Sequence, residues 1–231
     1  MREIAFNLDF NACIFDFDGV IVDSEPLHAQ AKQVTLDHFG VSYPAQLFSD
    51  FKGRPDTAFF EFVADQLAAG LATAEEMCAY KREIYLRLFE VVPLVAGVQA
   101  FLAAARARFD KVGLASSATR RDLELAARKY QIDQWFDVIV TGDDTLRHKP
   151  DPEPYLKALA ALSVTPGATL IVEDTPNGIR SAKSAGCTTA ALTTAFAAGE
   201  LRAAGADIVV ASFAELAQEL GMVMPNIEIE S

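Results

Sequence analysis

From residue 93 onward, short apolar runs alternate with stretches of helical periodicity. KVGLASS, TRRDLELAARKY, DVIVTGDD, DPEPYLKALAAL, ATLIVED, NGIRSAKSAG, TTAAL and DIVVASF follow one another in that order. Parallel strands cannot be joined by tight turns; each needs a crossover, usually a helix, before the next. The alternation therefore predicts a parallel sheet with covering helices. In such a sheet ligands gather beyond the carboxyl ends of the strands, where the loops converge. The polar residues that close these runs thus become candidates for one shared site: Ser116 after VGLA, Lys149 in the loop after VIVTGDD, and Glu173 with Asp174 after TLIV.

One more apolar run, CIF, lies near the start of the chain and ends on Asp16 and Asp18, with Gly19 directly after. Short acidic residues favour turns, because their side chains bond to nearby backbone. Two carboxylates at the carboxyl end of a strand can also hold a metal and do acid, base or nucleophilic work. Read alone, the pair fits either account. Gly19 would permit the sharp chain reversal that follows.

Residues 24 to about 92 read differently. Leu27, Ala31 and Val34 fall at helical spacing before Gly40; Phe59, Phe60, Val63 and Leu67 do so before Gly70; Met77, Ile84, Tyr85, Leu88 and Phe89 do so again. These three amphipathic patterns predict a helical insertion with its own small core. The expected division is an α/β core from residues 1–23 and 93–231 and a helical cap from 24–92. The cap is entered at VDSE and left at EVVPLV, a placement that suits a lid.

Composition narrows the partners. Of 231 residues, 32 are acidic and 20 basic, a net charge of −12, which argues against a nucleic-acid backbone as partner. An anionic ligand would need a local positive site. Cys13, Cys78 and Cys187 are odd in number and widely separated, so neither a disulfide framework nor a zinc motif is indicated. The start MREIAFNLDF lacks the features of a secretory signal, and no apolar segment approaches the ~20 residues a bilayer requires. The expected location is cytoplasmic.

Together the strand ends supply a nucleophile, a proton carrier, a hydroxyl donor, a cation and metal-binding carboxylates, which is the equipment for moving a phosphoryl group. The order DFDGVIVDSE, ASSAT, KPDPEPY and VEDTPNGI resembles that of the haloacid dehalogenase superfamily, in the branch of phosphatases and beta-phosphoglucomutase. The resemblance covers nearly the whole chain, including a helical cap inserted after the first motif. It implies a Rossmann-like parallel sheet core with an inserted α-helical cap domain. Ala96 departs from the proline that relatives often carry between cap and core, and touches no chemistry.

By this resemblance Asp16 is the nucleophile and Asp18 the general acid and base. Mg2+ would be held by Asp16, the backbone carbonyl of Asp18 and Asp174, with Glu173 either binding a metal-bound water or orienting Asp174. Ser116 and the amides after it, including that of Ser117, would hold phosphoryl oxygens, and Lys149 would neutralise them and Asp16. In the cap, Lys52 and Arg54 flank Gly53 in a stretch that resembles a substrate-contacting loop, and His28 resembles a hinge-side substrate contact. Asn177 is expected to cap the helix opening near Pro176, and Arg120 and Arg121 to lie on a solvated surface.

The expected activity is a Mg2+-dependent phosphatase acting on a small phosphorylated metabolite, of the sugar phosphate or phosphoglycolate type, through an aspartyl phosphate. The alternative is a phosphosugar mutase of the beta-phosphoglucomutase kind, which returns the phosphoryl group to a sugar hydroxyl instead of to water. A dehalogenase would have no need of Asp18 with Mg2+. A receiver-type signalling module would be about half as long and carry no cap.

Overall fold

The computed structural model describes residues 10–52, 54–68 and 70–225. Gly53, most of MREIAFNLDF and the end of the C-terminal tail lie outside them. The chain forms two compact units, Met1–Asp23 with Pro93–Ser231, and Ser24–Val92.

In the first unit the apolar runs form six parallel strands: β1 (Ala12–Phe15), β2 (Lys111–Ala115), β3 (Val138–Val140), β4 (Thr169–Glu173), β5 (Thr188–Leu192) and β6 (Ile208–Val210). Their order across the sheet is β3-β2-β1-β4-β5-β6. This is a Rossmann-like arrangement, and its order reverses between β1 and β4, where ligands of such sheets collect. Cys13 pairs with Val112 on one side and Leu170 on the other, while Phe15 pairs with Leu114 and Val172. The carboxyl ends of β2, β1 and β4 are thereby level. Burial on both faces explains why these strands read as unbroken apolar runs instead of alternating ones.

The second unit carries α1 (Glu25–His38), α2 (Leu47–Asp50), α3 (Asp56–Gln66) and α4 (Ala74–Phe89). The first unit carries α5 (Val98–Arg108), α6 (Arg120–Tyr130), α7 (Glu153–Leu162), α8 (Pro176–Ser184), α9 (Ala198–Ala203) and α10 (Phe213–Glu219). The short α2 has no counterpart among the three helical patterns, because four residues are too few to show a period. Phe59, Phe60, Val63 and Met77 are buried together with Leu36 and Leu47, which makes the second unit's own core. The thiols of Cys13 and Cys187 are buried and Cys78 is half-buried.

Helix starts follow side-chain chemistry. Thr119 opens α6 in a reciprocal capping box with Asp122, and Thr73 opens α4 with Glu76. Asn177 does not cap α8. Thr175 does, accepting a bond from the Gly178 amide, while Asn177 Oδ1 accepts one from Arg180. The reason is positional: Pro176 takes the first helical position, so the capping residue is the one before it. Arg120 and Arg121 are exposed, and Arg120 pairs with Asp144 at 2.8 Å.

Consecutive strand residues point to opposite faces. Ile14 packs with Tyr155, Leu159 and Ile171. Phe15 meets Phe101 edge-on at 5.9 Å, and Phe101 lies 4.8 Å from Phe213. Phe101 is fully buried and joins α5 and α10 to the strand that carries Asp16. Phe101→Ala is predicted to lower the stability of the α/β unit by about 3–5 kcal/mol, the range for removing a buried phenyl ring. Urea denaturation followed by circular dichroism measures this, and a loss below ~1 kcal/mol would mean that the ring is not part of a close-packed core.

Candidate active site

Three adjacent strands deliver their terminal side chains to one place. Asp16 follows β1, with its amide bonded to the Val172 carbonyl at 2.9 Å, and Ser116 follows β2, bonded likewise to Val140 at 3.0 Å. Glu173 is the last residue of β4 and Asp174 the next. Asp16, Ser116, Glu173 and Asp174 are all buried.

Lys149 arrives from the segment between β3 and α7. That segment is fastened at several points. Thr141 and Asp144 form a capping box, the Glu153 carboxylate accepts bonds from the amides of Leu146 and Arg147, and the Ser181 hydroxyl donates to the Asp151 carbonyl at 2.6 Å. The ammonium donates to Asp16 Oδ1 at 2.7 Å, Glu173 Oε1 at 2.7 Å and the Ala115 carbonyl at 3.1 Å. It also sits 4.7 Å from the centre of the Tyr155 ring. Burial alone would lower the Lys149 pKa, but Asp16 and Glu173 outweigh it and raise it above the ordinary lysine range. The group is a fixed cation.

The carboxylates outnumber it. One oxygen each from Asp16, Glu173 and Asp174 can be chosen so that all lie within 4.8 Å of one another. Burial pushes the Asp16 carboxyl up to about 7 in spite of Lys149, and it pushes Asp174 well up, with Glu173 and Asp16 adding to it. Glu173 goes the other way: burial opposes, yet Lys149 and its hydrogen-bond donors hold it below the usual range. Among the described residues, Asp174 Oδ1 is buried with no hydrogen-bond partner. Buried oxygens are normally paired. An unpaired carboxylate oxygen in a cluster with excess negative charge fits a hard divalent cation, which takes oxygen ligands.

Glu173 is engaged otherwise. Its Oε1 accepts from Lys149 and, at 2.6 Å, from the Tyr155 hydroxyl, while Oε2 accepts from the Asp174 and Thr175 amides and the Thr175 hydroxyl. Of its two expected roles, these bonds favour holding its neighbours over binding a metal-bound water.

Gly19 has φ +70°, and a Cβ there would lie 1.9 Å from Asp174 Oδ2. The chain therefore turns after Asp18 through a conformation and a clearance that only glycine provides. Asp18 is half-buried, and its backbone pairs with Val22. The Ser116 hydroxyl accepts a bond from the Ala118 amide at 2.9 Å, which leaves its proton to donate; Ser117 is exposed.

The other expected residues meet within the helical unit. His28, Lys52 and Arg54 line one cavity of about 290 Å³ with Lys32 and Asp56. Lys52 and Arg54 are exposed, and the Arg54 guanidinium lies 5.1 Å from the Phe51 ring centre. His28 stacks on Tyr85 with centroids 4.2 Å apart, and its Nδ1 faces Lys81 Nζ at 2.8 Å. Lys81 is buried and donates to Asp56 Oδ2 at 2.6 Å, with Lys32 3.3 Å from Asp56 Oδ1. His28 thus accepts from an ammonium.

Three participants escaped the sequence reading. Tyr155 was one of several apolar-period residues in the helix after KPDPEP, and a helix-buried tyrosine gives no sign of where its hydroxyl ends. Thr194 lies beyond β5, donating to the Gly19 carbonyl at 2.7 Å and standing 3.4 Å from Asp174 Oδ2; the available signal was that β5 adjoins β4. Lys81 interrupts an apolar helix face at the spacing of Met77 and Tyr85, which in retrospect marks a buried cation.

Residues 13–192 match the model of the haloacid dehalogenase-like hydrolase family. The chain belongs to that family and is a hydrolase of its phosphatase type. It is 31% identical to a phosphorylated carbohydrates phosphatase of Thermotoga maritima, over 76% of this chain and 81% of the relative. It is 32% identical to the validoxylamine A 7'-phosphate phosphatase of Streptomyces hygroscopicus subsp. limoneus, over 90% of this chain and 96% of the relative. Among solved structures, a haloacid dehalogenase hydrolase of family IA, variant 3, from Entamoeba histolytica superposes with a TM-score of 0.80 at 26% identity, covering 91% of this chain and 97% of that one. No helix among the described residues is long and apolar enough to cross a membrane.

The His28 contacts yield a pH prediction. Burial and then Lys81 lower its pKa from 6.5 to about 3. Between those values the unfolded chain binds a proton that the folded one refuses, so stability falls as pH falls. The slope for one proton is about 1.4 kcal/mol per pH unit. Chemical denaturation of wild type and His28→Gln at several pH values tests this, because titrating groups that do not interact with His28 cancel in the difference. The wild-type advantage should shrink at up to that slope from pH 6 to 4; a pH-independent difference would show that His28 titrates normally.

Proposed function

We propose that the protein is a Mg2+-dependent phosphatase that hydrolyses a small phosphorylated carbohydrate through an aspartyl phosphate on Asp16. The observation that carries this reading is the buried cluster in which Lys149 holds one oxygen of Asp16 while Asp174 Oδ1 has no hydrogen-bond partner among the described residues. A phosphate dianion repels a carboxylate, by roughly 4 kcal/mol for unit charges ~4 Å apart at an effective dielectric near 20. Attack therefore needs positive charge at the point of approach. Lys149 supplies part of it.

Asp16, the Asp18 carbonyl and Asp174 would hold Mg2+, which when bound offsets the charge between Asp16 and the phosphoryl oxygens. Glu173 keeps Lys149 in place. An Asp16 carboxylate oxygen forms a bond to phosphorus as the bond to the leaving alcohol oxygen breaks, and that oxygen takes a proton from the Asp18 carboxyl. Asp18, now ionised, removes a proton from water, whose oxygen attacks the phosphorus and frees Asp16 and inorganic phosphate. The hydroxyl of Ser116 donates to a phosphoryl oxygen, with the Ser117 amide beside it.

The relatives support the substrate class: one is named for phosphorylated carbohydrates and another for validoxylamine A 7'-phosphate. Selection among such substrates is assigned to the helical unit acting as a cap, through Lys52, Arg54 and His28. A mutase would use the same Asp16 and Asp18 but return the phosphoryl group to a sugar. The free thiols support a reducing, cytoplasmic setting.

A panel of phosphorylated carbohydrates with Mg2+, read by released phosphate, tests the proposal. Asp16→Asn is predicted to abolish turnover, because an amide forms no acyl phosphate, and Asp18→Asn to lose ~10²- to 10⁴-fold. Phosphate release at the wild-type rate by Asp16→Asn would sink the covalent route. Glucose 6-phosphate accumulating from beta-glucose 1-phosphate faster than free phosphate would replace the phosphatase by the mutase.

A further inference from the structure

The Glu173 carboxylate is fully buried and sits between two functional neighbours, so whatever fixes it fixes both. Its Oε2 is held by backbone and by the Thr175 hydroxyl, all within the chain's turn from β4 into α8. Its Oε1 faces Lys149 and has one other bond, the 2.6 Å bond donated by Tyr155. Tyr155 is fully buried on α7, within the core cluster of Ile14, Leu159 and Ile171. The residue thus touches the Lys149 ammonium twice: through its ring, 4.7 Å below the nitrogen, and through the oxygen they share.

We infer that Tyr155 is a positioning residue: its hydroxyl fixes Glu173 Oε1 so that Glu173 holds the Lys149 ammonium against Asp16. This deepens the phosphatase reading and rests on it for its kinetic consequences. The geometry leaves few alternatives for the hydroxyl. Burial holds the phenol far above its ordinary pKa, so it stays a donor, and Glu173 is its acceptor. A Gly178 Cβ would lie 1.8 Å from Glu173 Oε1, so the carboxylate is also walled on the α8 side. The hydroxyl's bond is to an ionised group, and such bonds are stronger than neutral ones.

Lys149 matters most as charge builds at phosphorus, so a displaced ammonium lowers kcat more than it raises KM. Tyr155→Phe keeps the ring and deletes only the hydroxyl. It should lower kcat for p-nitrophenyl phosphate with Mg2+ about tenfold while KM changes less than about twofold, as for an interaction used in the transition state. In a Lys149→Ala background the same substitution should change kcat less than about twofold, because residues that act as a unit are not additive. Thermal unfolding of each variant identifies a folding defect, and rates are compared well below the lowest midpoint.

A purely structural tyrosine would give equal losses in both backgrounds, and that additivity, or an unchanged kcat in Tyr155→Phe, overturns the inference. An independent readout is lysine side-chain NMR: the Lys149 ammonium protons should exchange slowly in wild type and faster in Tyr155→Phe. Unchanged exchange also overturns it. A wild type that shows the protected ammonium but releases no phosphate from any monoester would sink the phosphatase reading and leave this one standing.

Discussion

The buried ammonium of Lys149 ties four separate pieces of chain together. It reaches Asp16 after β1, the Ala115 carbonyl at the end of β2 and Glu173 at the end of β4, and it comes itself from the segment between β3 and α7. Burying charge is expensive, and a buried pair is a weak source of net stability when compared with well-packed apolar groups. Removing one partner is another matter, because it strands a charge in a medium that cannot solvate it. The cluster therefore acts less as glue than as a specification. The ammonium reaches all three strand ends only when they are level, which is the geometry that the paired register of β1, β2 and β4 provides.

Much of this was legible in the residues. A parallel sheet buried on both faces writes itself as apolar runs, and the polar residue that ends each run marks its carboxyl edge, so Asp16, Ser116, Glu173 and Asp174 could be placed before any coordinates. What could not be read was the partner of each group. Tyr155 and Thr194 enter the cluster through tertiary approach of α7 and of the segment after β5, and sequence periodicity carries no information about where a hydroxyl points. Asn177 shows a second limit. Asparagine and threonine both cap helices well, and the proline between them, not the residue type, decides which one does.

The charge of the chain poses a problem that the structure answers locally. At −12 overall the protein repels anions at long range, though salt confines such fields to ~8–10 Å. Within the helical unit, Lys32, Lys52 and Arg54 gather on one cavity with Glu25 and Asp56, and Lys81 is buried with Asp56 and neutral His28 as acceptors. Asp56 joins Lys32 and Lys81 and so fixes their positions more than it cancels them. An acidic protein can thus still gather basic side chains locally within one unit.

The two aspartates of DFD are chemically identical and two residues apart, yet their surroundings divide them. Asp16 is buried, with one oxygen held by a permanent ammonium. That fixes its direction, as the proposed nucleophilic attack would require, since attack succeeds only from a near-attack geometry. Asp18 lies past the end of β1, half-exposed, with its backbone paired to Val22. The proton carrier of the proposed mechanism must give up a proton and later take one from water. With Gly19 turning the chain immediately afterwards, the strand delivers one residue to a fixed electrostatic frame and the other to its edge. The spacing of two residues lets a single strand end deliver both carboxyl groups, to which the proposed mechanism gives different tasks.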